Sequence, residues 1–374
     1  MVHKVLICCG SRPEFIKISP IYHKLKKTPE IIPILCNTGQ HRELLAPHLS
    51  SLNMRPDVQL DVMQPRQSLD QLMAQLFAQL PQVFDQHRPD MLIIQGDTAS
   101  ALAAAMIAQK RPCPVAHIEA GLRTYDRASP FPEEIYRQNI SRLAKWHFCP
   151  TQTARENLLK EKIPAETIFV TGNTSVDMVM HMHHKTHGPS PWQKERKPFF
   201  LITLHRRESQ GSPLIRIIST LLDFAKSQPE FNFIIPLHPN PATSDMIRSL
   251  IKSQKNIRLI APLPYDQFIQ LMTDAFAIIT DSGGIQEEAP SLNTPVIVVR
   301  DKTERAEGII SGCLRLAGTH KKGILYELNL LIHDRLHYKR MQQAPNPFGD
   351  GHAAGRITGH LTQIIERQFK SCLC

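Results

Sequence analysis

The stretch Ile278-Ile279-Thr280-Asp281-Ser282-Gly283-Gly284-Ile285-Gln286-Glu287-Glu288 reads as a strand that turns through small residues into a helix. Backbone N–H groups at Ser282, Gly283 and Gly284 would stand at the positive end of that helix, open to a diphosphate. One turn further, Glu288 is spaced to accept hydrogen bonds from both ribose hydroxyls of the same nucleotide. Neither a Gly-x-Gly-x-x-Gly after the first apolar run nor a Gly-Lys-Ser/Thr loop is present, which counts against nicotinamide and P-loop chemistry. At the other end of the chain, Cys9-Gly10-Ser11-Arg12-Pro13-Glu14-Phe15-Ile16-Lys17 places Arg12 and Lys17 at the start of a helix, where both can reach a leaving phosphate.

Three further apolar runs end in ionisable groups. They are Gln95-Gly96-Asp97, His117-Ile118-Glu119-Ala120-Gly121-Leu122-Arg123 and Thr203-Leu204-His205-Arg206-Arg207-Glu208. Glu133, behind the proline-rich Ser129-Pro130-Phe131-Pro132, makes a fourth. Ionisable groups at the tips of parallel strands are costly to desolvate, so a ligand that uses them is the natural explanation. Asp97, Glu119, Glu133 and His205 are thus candidates for acid/base work.

Such tips need strands to carry them. Lys4–Cys9, Ile31–Cys36, Met91–Gln95, Val115–Ile118, His147–Cys149 and Ile168–Thr171 form one set of short apolar runs, each followed by a helical pattern. Phe199–Thr203, Phe231–Pro236, Ile257–Ile260, Phe276–Thr280, Val296–Val299 and Leu314–Leu316 form a second. Near-continuous apolar strands alternating with helices predict parallel sheets covered on both faces, hence two doubly wound, Rossmann-like domains. The expected divisions are residues 1–180, a linker at 181–197 that collects Gly, Pro and charge, a nucleotide-binding domain at 198–345, and a C-terminal helix in 346–374 that can return to the first domain. Ligands of open α/β sheets bind at the carboxyl ends of the strands, so a cleft between the domains is the expected site.

At 374 residues the chain exceeds what one core usually organises, and its net charge of +10 favours an acidic partner. Its longest apolar runs fall far short of the roughly 18 residues of a spanning helix, which excludes a helical membrane protein. The apolar start Val5-Leu6-Ile7-Cys8-Cys9 runs into Gly10-Ser11-Arg12-Pro13 without a small-residue cleavage site, so a cytoplasmic product is expected. Lys and Arg are dispersed and no aromatic platform interleaves them, which speaks against nucleic acid. The eight cysteines include no Cys-x-x-Cys pair, and those in apolar runs read as buried thiols. His181, His183, His184 and His187 lie in the expected linker, without the scaffold a metal site needs.

Taken in order, Gly10 to Lys17, Asn37-Thr38-Gly39-Gln40-His41-Arg42-Glu43, Gln95 to Thr98, His117 to Thr124, Ser129 to Glu134, His205 to Glu208, Thr280 to Leu292 and Arg300-Asp301-Lys302-Thr303-Glu304-Arg305 resemble the non-hydrolysing UDP-N-acetylglucosamine 2-epimerases. The resemblance covers nearly the whole chain. It departs at Tyr136, Ala306 and Asn293-Thr294, none of which is a proposed reactive group. It implies a GT-B-like fold, a homodimer, no cofactor or metal, and interconversion of UDP-GlcNAc and UDP-ManNAc. It also implies roles: Arg12, Lys17, Asp97, Glu119, Glu133 and His205 near the sugar and leaving phosphate, Ser282, Gly283, Gly284 and Arg305 at the diphosphate, Glu288 at the ribose and Phe268 near the uracil. Gln40 and Arg66 match positions where many bacterial members bind a second, activating UDP-GlcNAc. Rival readings are an epimerase of a related UDP-2-acetamido sugar and a GT-B UDP-sugar glycosyltransferase; a transferase needs an acceptor site in place of the acid/base set.

Overall fold

Each apolar run of the first half becomes a strand of one parallel sheet. The strands are β1 (His3–Cys9), β2 (Ile31–Asn37), β3 (Val58–Gln59), β4 (Met91–Gln95), β5 (Val115–Ile118), β6 (Trp146–Cys149) and β7 (Ile168–Val170), in the order β3-β2-β1-β4-β5-β6-β7. The computed structural model describes residues 2–40, 46–64, 67–185, 197–204, 211–237, 241–251 and 254–370. Leu6 and Cys8 of β1 and Leu92 and Ile94 of β4 pack under the helices Leu69–His87 and Ala99–Ala108. Ala99–Ala108 is apolar almost all round because it is buried on nearly every side. Its alanines let it lie close to the sheet between two neighbouring helices.

The second half repeats the plan with β8 (Phe199–Thr203), β9 (Asn232–Pro236), β10 (Ile257–Ile260), β11 (Ala277–Thr280), β12 (Val296–Val298) and β13 (Leu314–Leu316), ordered β10-β9-β8-β11-β12-β13 and parallel throughout. Phe200 of β8 stacks on Phe233 of β9 at 5.3 Å and meets Phe224 and Phe276 edge-on, which anchors this core. In each sheet the strand order reverses beside the first strand, between β1 and β4 and between β8 and β11. These are the switch points where parallel sheets offer ligand sites.

The chain divides into two units, Met1–Met178 with Phe348–Cys374, and Val179–Pro347. The C-terminal helix Ala353–Lys370 belongs to the first unit and packs against the helix Arg12–Leu25. Asp177 caps it, accepting from the N–H groups of Ala353 at 3.1 Å and Ala354 at 2.8 Å. The first crossing between units falls inside the helix Thr174–Lys185, which carries His181, His183 and His184 on regular helical backbone. Polar composition suggested a linker from His181, but the helix continues to Lys185; residues 186–196, His187 among them, lie outside the described residues. No described helix is long and apolar enough to cross a membrane. The six described cysteines, Cys8, Cys9, Cys36, Cys113, Cys149 and Cys313, are all buried and free.

Candidate functional site

The tips of β1, β4 and β5 carry the densest chemistry of the first unit. After β1, Gly10 allows the chain to pass where a Cβ would fall 2.3 Å from Thr38 Oγ1 and 2.4 Å from Ser100 Oγ. Glu14, in the first turn of the helix Arg12–Leu25, folds back to accept from the N–H groups of Ser11 at 2.7 Å and Gly10 at 3.1 Å, and from Thr98 Oγ1 at 2.9 Å. It therefore fastens the β1 tip to the β4 tip, where Asp97 and Thr98 stand. Complete burial pushes its carboxyl up to about 7, against the lowering effect of those donors.

That shift has a signed consequence. A carboxyl that ionises near 4.5 when unfolded and near 7 when folded contributes stability that is complete below about pH 4.5 and is lost as pH rises through about 7. Glu14→Gln stays neutral and is expected to remove this slope. In urea unfolding at pH 5 and pH 8, the wild type should lose on the order of 3 kcal/mol relative to the variant. Parallel pH dependences for the two proteins would show that Glu14 is not the titrating group.

Glu119 follows β5 with φ +65°, a left-handed backbone uncommon for a side chain of this size. Among the described residues its carboxylate accepts from Lys17 of the first helix, Gln95 at the end of β4, and Asn173, just before the helix Thr174–Lys185, whose Nδ2 lies 3.2 Å from Oε1. The Lys17 ammonium is buried against it, so the two charges form one desolvated pair. The turn is held behind Glu119 by Gly121, where φ is +87° and a Cβ would lie 2.1 Å from the carbonyl oxygen of Ala154. His117 is wholly buried on β5 and pushed down to about 3, chiefly by burial, so it is neutral and its Nε2–H donates to the Gly96 carbonyl at 2.7 Å. Gly96 in turn runs close to Glu119: a Cβ there would be 3.5 Å from Oε2.

Asp97, next in sequence, is gripped by both Nε (2.9 Å) and Nη2 of Arg137. Arg137 stands one helical turn after Glu133 on the helix Glu133–Leu143, so Asp97 and Glu133 are linked through a shared scaffold. The adjacent Glu134 points inward instead: fully buried, it accepts from the N–H groups of Thr124 at 3.0 Å and Tyr125 at 3.1 Å and sits 3.4 Å from Arg137. Arg123 likewise serves the scaffold, in a two-pronged bond to Glu161 at 2.7 and 2.8 Å. Arg12 is exposed at the start of its helix, and Gln40 accepts from Ser100 Oγ at 2.9 Å. His205 and Arg66 lie outside the described residues.

In the second unit, β11 ends in Thr280, whose Oγ1 accepts from Thr203 Oγ1 at 2.7 Å and from the Ser282 N–H at 2.9 Å. The tips of β8 and β11 are tied together in this way. The helix Gly283–Glu288 opens immediately, leaving its first N–H groups without intrahelical acceptors. Glu288 curls back toward that end, its Oε1 3.7 Å from where a Gly284 Cβ would be. Arg305 is buried between two carboxylates, with Glu287 at 2.7 Å and Glu304 as partners, and Glu304 also holds Arg300 at 3.0 Å. Two cations and two anions thus brace the underside of the Gly-rich turn. Phe268 is half-buried on the helix Tyr265–Asp274.

Gln95, Asn173 and Arg137 are the members of this arrangement that strand-tip reasoning passed over. The first two are neutral amides, and the third sits inside a helix, so none shows as an ionisable group at a strand end.

Two parallel sheets, one with carboxylates and cations gathered at its switch point and one with a Gly-rich strand-to-helix turn, define a nucleotide-using α/β enzyme. The sequence profile of the UDP-N-acetylglucosamine 2-epimerase family matches residues 23–362, and the chain belongs to that family of isomerases. It is 40% identical over 367 residues to the UDP-N-acetylglucosamine 2-epimerase of Neisseria meningitidis, covering 96% of this chain and 99% of that one. The crystal structure of UDP-GlcNAc 2-epimerase from Neisseria meningitidis bound to UDP-GlcNAc superposes with a TM-score of 0.93 at 40% identity, over 96% of this chain and 100% of that one. The S. aureus MnaA–UDP co-structure superposes at 0.93 and 37%, over 98% of this chain and 97% of that one. The fold is GT-B-like, and the membership sets the glycosyltransferase reading aside.

Proposed function

We propose that the chain interconverts UDP-GlcNAc and UDP-ManNAc without hydrolysis, by elimination and re-addition of UDP. The observation that carries this reading is Glu119, a carboxylate set at a strand tip by three donors. The hydrogen on C2 of the sugar is not acidic in the ground state. As the C1–O bond to UDP breaks and its electron pair leaves with the β-phosphate, positive character at C1 acidifies C2–H. A carboxylate then takes the proton, giving 2-acetamidoglucal and UDP. Protonation of C2 from the opposite face and return of UDP to C1 completes the inversion. Two acid/base groups are needed, and Asp97, Glu119, Glu133 and His205 form the set that supplies them.

Arg12 and Lys17 stabilise charge on the leaving phosphate, together with the N–H groups at Ser282, Gly283 and Gly284. Arg305 joins them by exchanging part of its bond to Glu304 for a phosphate oxygen. Glu288 receives the ribose hydroxyls and Phe268 packs near the uracil. The same reading includes a cytoplasmic homodimer and a second UDP-GlcNAc at Gln40 and Arg66. Support for each of these comes from the family's motifs as they stand in this chain.

Incubation with UDP-GlcNAc in deuterated water, followed at C2 by NMR, tests the proposal. Deuterium at C2 and the appearance of UDP-ManNAc are expected. A C2–H that survives long incubation with folded protein would reject it.

A further inference from the structure

We propose that Asn173 is a positioning residue for Glu119, with one end of its amide holding a helix start and the other setting the carboxylate that exchanges the C2 proton. The inference rests on the acid/base role given to Glu119 above. Asn173 is buried, 3% exposed, between β7 and the helix Thr174–Lys185. Its Oδ1 accepts from both the N–H and the hydroxyl of Ser175, each at 3.0 Å. These two bonds decide which way the amide faces, because an –NH2 group cannot receive the Ser175 N–H. The Nδ2 end is therefore directed at Glu119 Oε1, at 3.2 Å.

Glu119 needs such a guide. Its φ of +65° sends the side chain off a backbone that neighbouring residues do not repeat, and Lys17 is a flexible point charge that tolerates many carboxylate orientations. The two amides, Asn173 on Oε1 and Gln95 on Oε2, define the carboxylate plane. They do so without adding charge that would suppress basicity. Asn173 is itself fixed from behind: its N–H donates to the Phe348 carbonyl at 2.7 Å, and Gly349 passes so near that a Cβ would lie 3.3 Å from the Asn173 nitrogen. Phe348 is the residue at which the chain re-enters the first unit, so the returning segment is built into the support of Glu119.

Two variants separate this role from simple helix capping. Asn173→Asp keeps the acceptor for Ser175 but turns the other end into an oxygen facing Glu119; Asn173→Ser keeps a good cap and is too short to reach it. The expected result for both is a kcat lowered about tenfold to a hundredfold with KM for UDP-GlcNAc within about twofold of wild type, at an unchanged folded fraction by circular dichroism. Either folded variant turning over at the wild-type rate overturns the assignment, as does a loss of kcat that only tracks the loss of folded protein. A wild-type enzyme that exchanges no deuterium at C2 would remove the epimerase reading and this inference with it. Normal wild-type exchange with normal variants would remove this inference alone.

Discussion

Glu119→Gln is expected to lower C2 exchange by about a thousandfold, since positioned acid/base groups typically contribute a hundredfold to ten-thousandfold. Glutamine preserves the volume and one carbonyl acceptor, so the loss isolates the missing charge. The substitution also disturbs the ground state. Lys17 is 8% exposed and loses its carboxylate partner, and the new –NH2 faces a donor from Lys17, Gln95 or Asn173. Removing the carboxylate from a buried ion pair of this kind destabilises by about 3 kcal/mol or more. Urea unfolding must therefore accompany the kinetics, with exchange normalised to the folded fraction. Folded Glu119→Gln exchanging within tenfold of wild type would remove Glu119 from proton transfer and pass the role to Asp97, Glu133 or His205.

The strands that carry these groups were readable because burial on both faces leaves no room for polar alternation. Val5 to Cys9, Met91 to Ile94 and Ile278 to Ile279 are apolar runs for that reason, and each run read from the sequence coincides with a strand to within one residue, Thr171, Phe231, Phe276 and Val299 falling just outside. β3 escaped notice because two residues at a sheet edge, Val58 half-buried and Gln59 exposed, bury too little to leave a pattern. The helix Thr174–Lys185 was cut short at His181 because its last turn is polar, although backbone hydrogen bonding does not depend on side-chain hydropathy. Composition reports where apolar surface must go, and only indirectly where a helix ends.

The site shows the same division. Asp97 and Glu119 stood out as charges at strand tips, where desolvation makes them expensive, and Lys17 as a cation near the start of a helix. What orients them could not be read, because the partners are distant in sequence: Lys17 and Asn173 meet Glu119 from 102 and 54 residues away. Glu133 and Glu134 illustrate a finer limit. Adjacent carboxylates on a helix point about 100° apart, and which one faces inward depends on how the helix is rolled against the sheet. Glu134 turns out to be the buried one, receiving two backbone N–H groups of the loop at Thr124 and Tyr125.

Arg137→Met is the second substitution expected to act strongly, through the grip of Arg137 on Asp97. Arg137 lies 5% exposed between Asp97, held through Nε and Nη2, and Glu134, 3.4 Å from Nη1. Two nitrogens of its guanidinium converge on the single oxygen Oδ2 of Asp97, which fixes that oxygen's position as a point charge would not. Methionine fills a comparable volume and removes the charge, leaving the buried Glu134 carboxylate with the neutral donors of Thr124, Tyr125 and Gln138 and without its cation. Removing one partner of a buried ion pair destabilises by about 3 kcal/mol or more. Catalytically, Asp97 loses its orientation, and misplacement by about 1 Å lowers turnover on the order of a hundredfold. Arg137→Lys discriminates between charge and geometry: it should recover most of the stability and little of kcat, because an ammonium restores the ion pair without the fork. Lysine restoring full turnover would mean that Asp97 requires only a nearby positive charge, and the two-nitrogen grip on Oδ2 would then have no part in the reaction.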